Sequence, residues 1–274
     1  MTSLCSLKPS DEDPLLTDHK ANSAANSADR DNTQYSAESI EHYEAVFGQD
    51  FVSPGGREMA IELITSLNLQ PGSRVLDVGC GLGGCAFAMA TDFGLVVDGI
   101  DLSKNMIDRA NKKCKKYGLG KKVNLNLGNC LELKASPTYH GIFSRDVFLH
   151  IHDKKRLFSN LKNALLSGGK LLFTDYCCGE KPWSDEFSEY VSNRNYQLHT
   201  VPEYTQILEE AGFQVIDARD ATGRFIDILK TELKKIAALE FSPSEKTLLA
   251  DSWQSKIDRA RQGDHRWGIF QAQL

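Results

Sequence analysis

Residues 74–101 read RVLDVGCGLGGCAFAMATDFGLVVDGID, and this stretch decides the fold. RVLDVG (74–79) is a short, largely apolar run closed by glycine, and AFAMATDF (86–93) has the composition of a helix. LVVDGID (95–101) is a second strand. A strand, a glycine-rich turn, a helix and another strand in so short a span form a βαβ unit, whose two strands run parallel.

The alternation continues on the C-terminal side. Ser103 is an N-cap for a helix over 104–117, VNLNLGN (123–129) reads as a third strand and GIFSRDV (141–147) as a fourth. Asp153 opens a helix that runs to 165, and GGKLLFTDY (168–176) leaves a Gly-Gly turn as a fifth strand. Pro202 sits in the first turn of a helix over 202–211, followed by FQVIDARD (213–220) as a strand. Residues 221–262 read as helical, and WGIFQAQ (267–273) returns as the last strand. The expected fold is α/β: a doubly wound, mostly parallel, seven-stranded Rossmann-like sheet with an N-terminal helical lid and a C-terminal helical insertion. The expected division is a polar tail (1–32) and a single domain (33–274). That domain comprises a lid (33–73), a core (74–220), and an insertion with the last strand (221–274).

Composition narrows the class. The 274 residues are 41% hydrophobic and 25% charged, which suffices for a full core. A net charge of −5 provides no global attraction to nucleic acid or to an anionic membrane. No apolar run approaches the ~20 residues of a membrane span. The opening MTSLCSLKPSDEDPLL lacks a basic segment followed by an apolar block, so no secretory leader is read there. The seven cysteines are odd in number and lack CxxC spacing, which fits a reduced compartment. The expectation is a soluble, cytoplasmic monomer that binds neither nucleic acid nor membrane. Residues 1–32 set Lys8, Lys20 and Arg30 against Asp11, Glu12, Asp13, Asp18, Asp29 and Asp31, with few apolar groups, and are expected to be disordered.

The turn after the first strand carries the chemistry. Gly79, Gly81 and Gly84 satisfy GxGxxG, and Asp101 closes the second strand where an acid accepts from ribose hydroxyls. Nicotinamide and S-adenosylmethionine sites both use that acid. Asp77 discriminates between them: a carboxylate there repels a pyrophosphate and attracts an ammonium or sulfonium ligand. The residues read as an S-adenosylmethionine pocket.

The run Asp77–Gly84 resembles the first motif of class I S-adenosylmethionine-dependent methyltransferases. The resemblance implies that Asp101 holds the ribose and Leu102 flanks the adenine. Where that class often has an acid after the third strand, this chain has Gly128-Asn129-Cys130, so Asn129 or backbone takes the adenine contact. The implied cofactor set is Val52, Ser53, Asp77, Gly79, Gly81, Asp101, Leu102, Asn129, Cys130, Arg145 and Asp146, with no metal.

Blocks outside this motif resemble phosphoethanolamine N-methyltransferases over about residues 33–273. They are Gln34-Tyr35, Tyr43, FGQDFVSPGG (47–56), SRDVFLHI (144–151), TDYC (174–177), NRNY (193–196), SKI (255–257) and HRWG (265–268). The resemblance implies N-methylation of phosphoethanolamine or its mono- and dimethylated forms, towards phosphocholine for phosphatidylcholine synthesis. An ammonium nitrogen must lose a proton before it attacks a methyl group, and the implied base is a dyad of Tyr35 and His150. The implied substrate contacts are Gln34, Tyr43, Asp146, Tyr176, Arg194, Tyr196 and Lys256, with Arg194 and Lys256 as cations for the phosphate. Two other readings stay open: a methyltransferase for another small acceptor, and a non-catalytic S-adenosylmethionine-binding subunit.

The remaining features read as structural. His152, His199 and His265 lack metal-ligand spacing and read as satisfied groups. Lys112, Lys113, Lys115 and Lys116 form a solvated helix face, Cys177-Cys178 is packing, and Trp183, Trp253 and Trp267 are core or pocket walls.

Overall fold

The computed structural model describes residues 36–134 and 136–274; the 1–32 tail, Gln34 and Tyr35 lie outside the described residues. Two helices, α1 (Ala37–Phe47) and α2 (Gly56–Leu67), precede the sheet. Then follow β1 (Arg74–Val78), α3 (Gly84–Asp92), β2 (Val96–Asp101), α4 (Lys104–Lys116), β3 (Val123–Leu127) and β4 (Tyr139–Arg145). A 3-10 turn (Phe148–His150) leads to α5 (Lys154–Ala164) and β5 (Leu165–Cys178). The C-terminal part holds α6 (Asp185–Asn193), α7 (Val201–Glu210), β6 (Gln214–Asp220), α8 (Thr222–Ala238), α9 (Pro243–Gln262) and β7 (His265–Gln273).

The seven strands form one sheet in the order β3-β2-β1-β4-β5-β7-β6. The first five are parallel, and β7 lies antiparallel between β5 and β6. The chain leaves β1 in one direction to β2 and β3, then returns past β1 to β4. The crevice between the carboxyl ends of β1 and β4 is therefore the topological switch point, where open α/β sheets bind ligands. Register Val78↔Ser144 puts Gly79 and Arg145–Asp146 beside that crevice.

Local chemistry accounts for the helix ends. Ser103 caps α4 through the Met106 amide and Asp153 caps α5 through the Arg156 amide, as the sequence predicts. Thr200 and Glu203 form a capping box on α7, and Ser242 and Glu245 form one on α9. The box on α9, with Pro243 at its first turn, explains a departure from the sequence reading. Residues 221–262 are two helices, because Pro243 has no amide to donate and clashes with a preceding helical turn. The sequence reading also omits α6, a nine-residue helix in which only Phe187 is buried. The fifth strand starts earlier than expected: Leu165 pairs with Tyr139 before the register breaks around Gly168-Gly169 and resumes at Gly141↔Lys170.

Both faces of the sheet are covered. One is packed by α1–α4 together with α8 and α9, through residues such as Met59, Leu63, Phe87, Phe225 and Trp253. The other is packed by α5 and α7, through Leu157, Phe158, Leu161, Tyr204 and Leu208. The lysine face of α4 differs from expectation. Lys113 is largely buried and pairs with Glu44 at 2.5 Å and Asp50 at 2.8 Å, which ties α4 to α1 and the loop after it. No described helix is long and apolar enough to cross a membrane.

Candidate active site

The glycine turn has the strain its composition implies. Gly79 has φ +72° and a Cβ there would lie 2.2 Å from Val147 Cγ2, so only glycine lets β1 pass the end of β4. The Gly81 amide donates to Asp101 Oδ2 at 2.8 Å, and the Ser103 amide donates to Asp101 Oδ1 at 2.8 Å. Asp101 thus fixes both the turn after β1 and the start of α4. Gly84 serves the lid: a Cβ there would come within 2.4 Å of the Asp50 carbonyl oxygen.

A cavity opens beside this turn, lined in part by Phe51, Val52, Ser53, Asp77, Gly79 and Arg145. Asp77 is 2% exposed and its Oδ2 has no hydrogen-bond partner among the described residues. Burial, and then the charge of Asp101, push its carboxyl up to about 7, against the pull of Arg145. An orphaned buried acid suits a cationic ligand, which would restore its charge. Arg145 closes the cavity by donating to Gly56 O at 3.0 Å and Pro54 O at 2.5 Å, binding the loop before α2 to the end of β4. Glu232 braces the same loop, accepting from the Gly55 amide at 2.7 Å and from Trp253 Nε1 at 2.9 Å. Leu102 is exposed at the end of β2, while Cys130 is buried after β3. Asn129 spends its Oδ1 on the Leu131 amide at 3.0 Å.

A second cluster lies past the ends of β4 and β5. Asp146 has φ +56°, and its Oδ1 accepts from Thr174 Oγ1 at 2.9 Å and Trp267 Nε1 at 2.8 Å. Its Oδ2 is buried with no partner among the described residues, and burial raises its carboxyl. His150 ends the 3-10 turn, its ring edge-on to Tyr196 with centroids 5.2 Å apart. Tyr196 meets Tyr190 at 5.7 Å, and Arg194 lies 5.7 Å from the Tyr190 centroid. Tyr176 packs on His265 at 4.6 Å; burial drives its phenol far up, with Asp146, Tyr190 and Tyr196 adding to the effect. Lys256 Nζ sits 4.2 Å over Trp253. The rings from His150 through Tyr196 to Tyr190 form a ladder with an imidazole at one end and a guanidinium at the other.

The structure therefore brings His150, Tyr176, Arg194 and Tyr196 into one aromatic cluster and Asp77, Gly79, Gly81 and Asp101 into one turn. Arg145 and Asp146 stand between the two. Tyr43 lies on α1, buried and stacked on Phe47 at 6.0 Å.

Sequence reasoning missed several groups. Lys154 and Asp175 lie buried beneath the His150 turn. Lys154 donates to Phe148 O at 2.7 Å, Ile151 O at 2.6 Å and Gln197 O at 3.2 Å. Asp175 accepts from the Leu149 amide at 3.0 Å and from the Tyr204 hydroxyl. Burial pushes Asp175 up and Lys154 down. Tyr190, Arg259 and His265 were also passed over, and His265 is not the satisfied group expected: neither ring nitrogen has a partner among the described residues.

This topology, with a glycine turn and an acid at the end of β2, defines the Rossmann-like S-adenosylmethionine-dependent methyltransferase class. The family model for mycolic acid cyclopropane synthetase matches residues 57–239. The chain is 42% identical to phosphoethanolamine N-methyltransferase 1 of Arabidopsis thaliana over 248 residues, covering 88% of this chain and 50% of that protein. It is 34% identical to phosphoethanolamine N-methyltransferase of Plasmodium falciparum, covering 88% and 94%. A solved structure of Haemonchus contortus phosphoethanolamine N-methyltransferase 2, in complex with phosphomonomethylethanolamine and S-adenosylhomocysteine, superposes with TM-score 0.85 at 35% identity. That match covers 89% of this chain and 58% of the other. The chain belongs to the phosphoethanolamine N-methyltransferase family. It spans about half the length of the plant relatives it matches.

Proposed function

We propose that the chain methylates the nitrogen of phosphoethanolamine, or of its mono- and dimethylated forms, towards phosphocholine. The observation that supports this best is the ring ladder: an imidazole and a guanidinium stand at opposite ends of a run of phenols. A small molecule with an amine at one tip and a phosphate at the other fits such a run. S-adenosylmethionine, when bound, supplies a methyl group made electrophilic by its sulfonium.

The residues of the glycine turn suit that cofactor. Asp77 presents an orphaned carboxylate to a cationic group, and the turn at Gly79 and Gly81 permits close approach. Asp101 already accepts two amides, yet each carboxylate oxygen has a second lone pair for a ribose hydroxyl.

At the amine end, Tyr35 takes the ammonium proton as His150 polarises its phenol and receives the phenolic proton. The neutral amine is then free to attack. Asp146 Oδ2 stabilises the charge that returns to nitrogen on methylation. At the other end Arg194, Lys256, Tyr176 and Tyr196 bind the phosphate. Holding the two tips fixes the nitrogen at attack distance, which converts binding into rate.

The test is turnover of the purified chain with phosphoethanolamine, phosphomonomethylethanolamine and phosphodimethylethanolamine offered separately, beside Tyr35→Phe and His150→Ala. At least one acceptor is consumed, and both variants lose most turnover while keeping cofactor affinity. Turnover on none of the three refutes the reading; near-normal turnover in either variant removes the dyad.

A further inference from the structure

The anion end of the ladder holds more buried polar groups than the substrate contacts read from the sequence. Arg259 lies one helical turn beyond Lys256 on α9, with its side chain 9% exposed. Its Cζ stands 4.0 Å from the centroid of Tyr190, the ring that Arg194 approaches at 5.7 Å. Two guanidinium groups thus flank one phenol. The Nε of Arg259 is buried with no hydrogen-bond partner among the described residues. Its ion partner, Glu186, is 3.4 Å away and mostly exposed, where solvent screens the pairing.

His265, at the start of β7, is fully buried among Tyr176, Phe187, Tyr190 and Phe225. Neither of its nitrogens is satisfied among the described residues. Burial, and then the charges of Arg259 and Lys256, push the imidazole down to about 3. Both cations therefore bear on the same neutral ring, which retains one N–H donor. A nearby buried carboxylate, Glu232, is engaged by the Gly55 amide and Trp253.

Like charges converging on neutral donors, with buried polar atoms left over, make an environment complementary to an anion. We propose that Arg259 and His265 are specificity-determining residues of the anion end, Arg259 selecting a doubly charged phosphate monoester over a singly charged anion and His265 donating to a phosphate oxygen. The proposal rests on the phosphobase reading above and extends it to two residues outside the set expected from the sequence.

The experiment compares wild type with Arg259→Gln, Arg259→Lys and His265→Phe in steady-state turnover, cofactor binding and competition. Arg259→Gln should raise the phosphobase KM about 10- to 100-fold, the effect of losing a charged hydrogen bond. It should leave kcat within about threefold and cofactor Kd within about twofold, because phosphate binding is shared by ground and transition states. Arg259→Lys should recover part of the loss, and His265→Phe should raise KM several-fold. Inorganic phosphate should compete better than methanesulfonate against wild type, with the preference narrowed at least about fivefold in Arg259→Gln. An unchanged KM in Arg259→Gln, or an unchanged preference, overturns the proposal. Because the variants could fold poorly, wild type is also titrated with inorganic phosphate while the nitrogen-15 resonances of the His265 ring are followed. A saturable shift supports the assignment, and an unmoved ring overturns it. That titration needs no turnover, so it stands even if the chain consumes none of the three phosphobases.

Discussion

Trp267 Nε1 donates to Asp146 Oδ1 at 2.8 Å, so the last strand of the sheet holds the carboxylate that ends the fourth. Asp146 sits at φ +56°, a conformation that side chains other than glycine adopt only when their surroundings hold them. Thr174 supplies the second bond from β5, which leaves Oδ2 buried with no hydrogen-bond partner among the described residues. Trp267→Phe keeps the buried ring and removes the donor. The expected outcome is a fall of roughly tenfold in kcat/KM for the phosphobase, the size of one lost charged hydrogen bond.

Asp77 is destabilising by design of the site. Its carboxyl is raised to about 7 in the folded chain against 3.8 as the ordinary value. The native state therefore holds this proton more tightly than the unfolded chain. The associated stability is present at low pH and is lost as pH rises through about 7. Asp77→Asn removes the charge without changing shape. Without ligand the variant should melt higher than wild type at pH 8, with the gap closing towards pH 5, each kcal/mol appearing as about 2–4 °C. Its cofactor affinity should fall at least about tenfold, because the cationic group loses its counter-charge. A melting point below wild type at pH 8 would contradict the orphaned-acid account.

Removing the cations expected from the sequence should separate binding from chemistry. Arg194→Ala or Lys256→Ala should raise phosphobase KM about tenfold or more and alter kcat little, because the phosphate is held alike in ground and transition states. His150→Ala should do the reverse. Initial-rate measurements over a range of phosphobase concentrations separate the two patterns.

The fold was legible because its signals are local. The glycine turn after β1, Ser103 and Asp153 as caps, and the apolar strand runs each act within a few residues. Elements whose identity depends on distant partners were not. α6 is nine residues long and buries only Phe187, so it offers few apolar positions to mark it as an element. Lys113 belongs to a lysine-rich helix face, and only the fold brings Glu44 and Asp50 to it. Nothing in the sequence singles out Arg259, and His265 reads as a satisfied histidine without metal-ligand spacing. Their burial arises where α9 and β7 close over Tyr176 and Tyr190, which no spacing along the chain announces. The glycine turn was legible as a ligand turn, whereas the role of Gly84 in admitting the Asp50 carbonyl required the lid to be in place.

Lys154 ties the turn that bears His150 to the segment that bears Tyr196. It follows the N-cap Asp153 at the start of α5 and is 5% exposed. Its ammonium donates to Phe148 O and Ile151 O, which flank His150, and to Gln197 O, next to Tyr196. Asp175, beside Tyr176, takes the Leu149 amide from the same turn. Two buried ionisable side chains thus fasten the turn that carries the imidazole to the segments that carry the phenols. Lys154→Met removes the buried donor shared by the Phe148, Ile151 and Gln197 carbonyls, and losing charged hydrogen bonds of this kind costs about 1.5–3 kcal/mol each. The melting temperature should fall, and the loss of register should cut kcat and raise phosphobase KM together while cofactor Kd stays within about twofold, since a misplacement of about 1 Å can cost about a hundredfold in rate. Asp175→Asn preserves the acceptor for Leu149 and should show a milder form of the same pattern. If folded Lys154→Met turned over at the wild-type rate, the turn bearing His150 would not depend on this lysine for its position.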